Sequence, residues 1–143
     1  MQVVEQLTVE FGLIKDYPET TINYNGDDDS GVTIIVDTFG PASNVRISRA
    51  NGGEYILIDS TKLIQITGHD IQEYDHIEIN TRKGQKSAVL LRGGTEHNIL
   101  HAIVSSKNWL RIERGSNRFT FAATSGASNI RVYLKYTERV NGV

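Results

Sequence analysis

The sequence predicts an all-β domain, an antiparallel two-sheet β-sandwich or jelly roll with at most one short helix. Period-two alternation of apolar and polar residues is the first observation behind this. It is clearest where Phe119, Phe121 and Ala123 alternate with Arg118, Thr120 and Ala122, and where Ile130, Val132, Leu134 and Tyr136 alternate with Arg131, Tyr133, Lys135 and Thr137. Second, the 13 glycines fall mostly in short clusters between apolar runs, as tight turns between strands require. Third, helix-like spacing is confined to one short segment, Asn98 to Val104. About ten short strands punctuated by turns, with almost no helix, describe a sandwich.

The elements follow in order. Glu5 to Phe11 is a first strand, with Leu7, Val9 and Phe11 on one side, and Gly12 ends it. After a loop through Tyr17-Pro18, Thr21 to Tyr24 forms a weaker strand, stopped by the turn residues Asn25 to Gly31. Val32 to Val36 is β-branched throughout and predicts a strand buried on both faces. Gly40-Pro41 breaks the chain. Val45 and Ile47 against Asn44, Arg46 and Ser48 give a one-sided strand, and Asn51-Gly52-Gly53 turns it into a partner beginning at Glu54 and running to Ile58. Lys62 to Ile66 reads as another short strand before a turn at Gly68-His69-Asp70. His76 to Asn80 places Ile77 and Ile79 inward and Glu78 outward, then turns at Arg82-Lys83-Gly84 into Ser87 to Leu91, with Gly93-Gly94 closing the pair. Asn98 to Val104 is expected to form a helical turn or two plugging one end of the sandwich. Ser106 to Asn117 holds the only tryptophan and a turn-forming Gly115-Ser116-Asn117, and leads into the two best strand patterns.

Composition bounds the function. At 143 residues the chain is one domain able to bury a continuous core without staples. Without cysteine it has neither disulfides nor a cysteine-ligated zinc site. Fifteen basic and 17 acidic side chains give a formal charge of −2, too balanced for a nucleic-acid partner. Met1 to Leu7 lacks the basic and apolar regions of a signal peptide. No apolar run approaches the roughly 20 residues that span a bilayer. The expectation is a soluble domain with no membrane partner.

Candidate chemistry is sparse. His97 and His101 stand four apart, which on a helix would put both on one face as in zinc sites, but only Glu96 stands near as a third ligand. Two partly exposed histidines flanking Ile99 and Leu100 explain the pair as well. Asp27-Asp28-Asp29-Ser30-Gly31 invites a calcium reading, yet an EF-hand starting at Asp27 would need glutamate where Thr38 stands and glycine where Val32 stands. A looser calcium loop or a solvated acidic turn remains. There is no Gly-x-Ser-x-Gly elbow, P-loop or Gly-x-Gly-x-x-Gly. Glu54, Glu73, Glu78 and Glu113 are expected at strand edges or turns, on solvated faces. No catalytic residue, metal site or cofactor is assigned. Tyr133, flanked by Arg131 and Lys135 on the outward face of its strand, is the candidate contact for a glycan or a protein partner. Trp109 is expected in the core or as a strand-end anchor.

One resemblance adds to this. Ile79-Asn80-Thr81, Gly84, Val89, Asn98-Ile99-Leu100, Ser106, Trp109-Leu110, Gly115-Ser116-Asn117 and a last alternating strand ending Asn141-Gly142-Val143 occur in an order that resembles the C-terminal domain of siphophage distal tail proteins. Tyr24-x-Gly26-Asp27 with Gly31, and Asn44 to Ile47 before Asn51-Gly52-Gly53, add to the likeness, which covers about Thr21 to Val143. Asn80 stands where the family has aspartate, and Arg114-Gly115-Ser116-Asn117 where it has Pro-Gly-x-Asn. The resemblance implies a galectin-like sandwich, the C-terminal domain of a longer tail protein whose N-terminal belt domain is absent from this chain. It implies a non-enzymatic virion component of the tail tip or baseplate hub, assembled in the bacterial cytoplasm and presenting an attachment surface to receptor-binding or other tail proteins. The isolated domain would be monomeric, hexameric only with the belt domain. The alternative is a carbohydrate-binding module for cell-wall polysaccharide. Galectin sugar ligation itself does not carry over, since Glu113-Arg114 follow Trp109 at another offset and His97-Asn98 lack the family's Pro-Arg. Trp109, Leu110, Gly115 and Asn117 are the expected signature corner of the fold.

Overall fold

The computed structural model describes residues 2–11, 19–26 and 30–141. Its elements are β1 (Gln2–Phe11), β2 (Glu19–Tyr24), β3 (Ser30–Gly31), β4 (Thr33–Thr38), β5 (Arg46–Arg49), β6 (Tyr55–Ile58), α1 (Ser60–Thr67), β7 (His76–Asn80), β8 (Ser87–Arg92), β9 (Thr95–Asn98), β10 (Ile103–Ser105), β11 (Arg111–Ile112), β12 (Gly115–Ala122) and β13 (Ile130–Asn141). Two antiparallel sheets make the sandwich. One runs β1-β13-β4-β7-β8-β9 and the other β10-β6-β5-β12-β2, with a small β11-β3 ribbon beside them.

Alternation explains the core. Ile34, Val36, Ile77, Ile79, Leu90, Val132 and Leu134 line the inner face of the six-stranded sheet. Ile22, Tyr24, Ile47, Ile56, Ile58, Phe119 and Phe121 do the same on the five-stranded sheet. The layers meet where Tyr24 and Tyr136 pack edge to face, 6.1 Å between ring centroids. β4 is buried on both faces as expected, since even the outward Ile35 is covered.

The structure departs from expectation at four places. Lys62 to Ile66 is not a strand but the middle of α1. Asp59 caps its N-terminus by accepting the Lys62 N–H at 3.2 Å, and Gly68, in the left-handed region at φ 86°, closes its C-terminus through a hydrogen bond to the Ile64 carbonyl. Within α1 only Ser60 and Leu63 are buried, and Ile64 and Ile66 face solvent. Asn98 to Val104 is likewise only partly helical. A single 3-10 turn, Leu100 to Ala102, is followed at once by β10, although Ile99 and Ala102 are fully buried. Gly115-Ser116-Asn117 do not form a turn but open β12, pairing with Tyr24, Asn23 and Ile22. Glu54 is not on a solvated face; it is buried against Arg49.

Among the described residues, no helix is long and apolar enough to cross a membrane.

Candidate functional site

The register of the six-stranded sheet places Arg131, Tyr133 and Lys135 in cross-strand rows on its outer face. Arg131 lies beside Asp37, His76 and Leu91; Tyr133 beside Ile35, Glu78 and Val89; Lys135 beside Thr33, Asn80 and Ser87. Each alternates with a buried neighbour, so all point away from the core. Tyr133 is half-buried between β1 and β4, so its ring is not a raised platform. The Arg131 guanidinium sits 5.1 Å from the Phe39 ring centroid. His76 is held between carboxylates, Nδ1 at 2.6 Å from Asp37 and Nε2 at 3.6 Å from Glu78.

Next to these residues on the same face runs a shallow groove of about 340 Å³, lined chiefly by Thr33, Glu78, Asn80, Ser87, Val89 and Glu96. Sequence reasoning missed it because its residues come from β4, β7, β8 and β9, and nothing local announces that these strands are neighbours. The outward polar positions Glu78 and Asn80 were the available signal.

Trp109, Leu110, Gly115 and Asn117, the expected signature corner, lie between the approach to β11 and the start of β12. Leu110 is fully buried and Trp109 half-buried against the core, with the Lys86 ammonium 5.1 Å from the Trp109 ring centroid. Gly115 adopts φ 98°, a conformation that favours glycine, and so lets β12 begin immediately after Arg114. Asn117, with no exposed surface, satisfies the backbone around that bend: its Oδ1 accepts the Glu113 N–H at 2.8 Å, and its Nδ2 donates to the carbonyls of Glu113 at 2.7 Å and Gly115 at 3.0 Å.

Behind Asn117 lies the ion pair of the β5–β6 hairpin. Arg49 extends the inward row of Val45 and Ile47, and its fork binds Glu54 through Nε at 2.7 Å and Nη2 at 2.9 Å. Glu113 bridges Arg49 at 3.1 Å and Arg111 at 2.8 Å. The hydrogen bonds from Arg49 hold the Glu54 carboxyl below its ordinary range despite the opposing effect of burial, and Glu54 in turn raises the Arg49 guanidinium. Gly52 makes room for the pair, because a Cβ there would lie 2.0 Å from Arg49 Nη2. A second buried pair has the same character: Asp75, 1% exposed, receives Arg92 Nε at 2.9 Å and Nη2 at 2.7 Å.

His97 on β9 and His101 in the 3-10 turn do not share a helix face. Among the described residues no group of three or more His, Cys, Asp or Glu could hold a metal ion. The acidic run Asp27-Asp28-Asp29, on which the calcium reading rests, lies outside the described residues.

Comparison with known proteins places this geometry. Residues 25–139 match the model of a family described as siphovirus-type tail component, C-terminal domain. Among solved structures, the chain is similar to phage SPP1 Dit, described as a paradigm of the hub adsorption apparatus in phages infecting Gram-positive bacteria: TM-score 0.67, 12% identity, covering 96% of this chain and 48% of that one. It is also similar to a chain of the phage P2 baseplate in its activated conformation, with TM-score 0.48, 13% identity, and coverage of 82% and 35%. This chain therefore spans about half or less of the length of the solved structures it matches. No curated protein matches it.

Proposed function

The chain belongs to the siphovirus-type tail component family, matching its C-terminal domain, and from that premise we propose that it is a non-enzymatic structural domain of a phage or prophage tail tip. In this reading it is one β-sandwich, the C-terminal part of a longer tail protein. It takes its place in the virion's tail-tip hub and offers an attachment surface to receptor-binding or other tail proteins. The observation that carries the reading is the family match over residues 25–139, on a sandwich whose fold is that of SPP1 Dit. The use of its buried charges supports it. Arg49, Glu54, Arg92 and Asp75 are paired with one another inside the scaffold, which suits a part that must hold shape under assembly.

The test is genetic. Interrupting the gene with a stop codon should yield particles whose tails lack a formed tip, and supply of the protein in trans should restore it. Normal infectious virions from the interrupted gene would refute the proposal.

A second reading, a carbohydrate-binding module for cell-wall polysaccharide, is favoured by one feature: the outer-face groove offers Glu78, Asn80, Ser87 and Glu96 beside Tyr133, a set of donors and acceptors suited to sugar hydroxyls. Titration with host wall polysaccharide decides it. Saturable binding abolished by Tyr133→Ala would establish this activity, and a flat titration would remove it.

A further inference from the structure

A second depression lies at the end of the sandwich where the β7–β8 turn meets the segment entering β11. It is a cleft of about 430 Å³, and Thr81, Lys83, Lys86, Lys107, Trp109 and Arg111 line it. Its walls are held by the backbone. The Thr81 hydroxyl donates to the Val32 carbonyl at 3.1 Å and accepts the Val32 N–H at 2.8 Å, pinning the end of β7 to the start of β4. Gly31, opposite Arg111 in the β3–β11 ribbon, lies so close to the turn that a Cβ would come within 2.5 Å of Arg82 Cα. Any larger residue there would prise the two walls apart.

Four cations thus converge in a protein whose net charge is −2. Arg111 is engaged by Glu113 at 2.8 Å. Lys83, Lys86 and Lys107 are exposed, and no carboxylate of the described residues pairs with them. Three exposed ammonium groups that no carboxylate of the described residues pairs with raise the local potential and attract an anion.

We propose that this cleft docks an acidic polypeptide segment of an adjoining tail protein, its carboxylates meeting Lys83, Lys86 and Lys107. The inference rests on the tail-tip reading and assigns the chemistry of one attachment surface. Two features fit a polypeptide of the tail tip. The cation over Trp109 occupies the position a sugar ring would need for stacking on that face. The one guanidinium fork in the cleft is already held by Glu113, so the three lysines remain, point charges on flexible stems that can follow carboxylates along a mobile chain, and the phosphate polymer in the test below is the competing anion.

Because Trp109 is the only tryptophan, its fluorescence reports on the cleft directly. The 143-residue chain would be titrated with a short glutamate-rich peptide and, separately, with poly(glycerol phosphate). The expected result is a saturable change in Trp109 emission with the peptide that weakens as sodium chloride screens the exposed charges. The Lys83→Glu/Lys86→Glu/Lys107→Glu variant should bind about tenfold more weakly or worse. Lys62→Glu, on the exposed side of α1, should bind unchanged. If the charge-reversed protein loses its melting transition, the triple Lys→Gln variant takes its place. No saturable response to the peptide, a response that the triple variant keeps, or tighter binding of poly(glycerol phosphate) than of the peptide would overturn the proposal. Failure of the titration alongside tail tips that require the gene would sink the docking chemistry and leave the structural role standing.

Discussion

Asn117 and the Arg49–Glu54 pair show what single residues contribute. A buried ion pair costs stability when half of it is removed, since the remaining charge stays desolvated. Glu54→Gln should therefore destabilise the protein by about 3 kcal/mol in denaturant unfolding at neutral pH. The pH dependence follows from the direction of the Glu54 shift, below its ordinary 4.5 because Arg49 hydrogen-bonds the carboxylate. Such a carboxyl binds its proton more readily in the unfolded chain. Its contribution is fully present above about pH 4.5 and is lost as pH falls through the lower, folded value. The stability gap between wild type and Glu54→Gln should be constant above that pH and shrink below it; a gap unchanged down to acid unfolding would contradict the assignment. Asn117→Ala strands the Glu113 N–H and should cost about 2 kcal/mol. Gly52→Ala must displace the clamped guanidinium and should cost a similar amount, about 2 kcal/mol. Much of this was latent in the sequence. The alternation through Val45 and Ile47 continues inward to Arg49, but a charged side chain at an inward position is legible only once its partner, five residues on across a Gly-Gly turn, is known.

At the scale of elements, α1 is where local pattern misled. Lys62 to Ile66 permits a strand reading, with Ile64 and Ile66 on one side. In the structure those two isoleucines are 45% and 40% exposed, and the helix is specified by its ends instead. Asp59 and Gly68 bracket eight residues, and that bracket was the signal to read. Asp59→Ala should cost about 1 kcal/mol by leaving the first turn uncapped. Gly68→Ala should cost about 1 kcal/mol because alanine is strained at φ 86°. A thermal melt of each variant checks both values, and a strand at this position would respond to neither. The strands themselves were legible because period-two alternation is strong wherever one face is buried, as in β7, β8, β12 and β13. Gly115 to Asn117 read as a turn from composition alone; pairing with β2 extends them into β12.

At the scale of the molecule, sheet order is what sequence reasoning could not supply. β13 pairs with β1 and β4, both distant from it in sequence, so the outer-face rows containing Arg131, Tyr133 and Lys135 and the lysine cleft beside Trp109 exist only after folding. The two surfaces are separable from stability. Tyr133→Ala and the triple lysine reversal remove side chains that no buried ion pair uses, and the lysine reversal should shift unfolding free energy by no more than about 0.5 kcal/mol while changing partner binding. A large loss of stability would mean that the cleft is scaffold. The central claim, that this domain is a built-in part of a tail tip, is tested most directly by location. Gold-labelled antibody against the chain, applied to purified virions of the phage or induced prophage that encodes it, should mark the distal end of the tail. Label on the capsid or along the tube, or virions that carry none of the protein, would contradict the account.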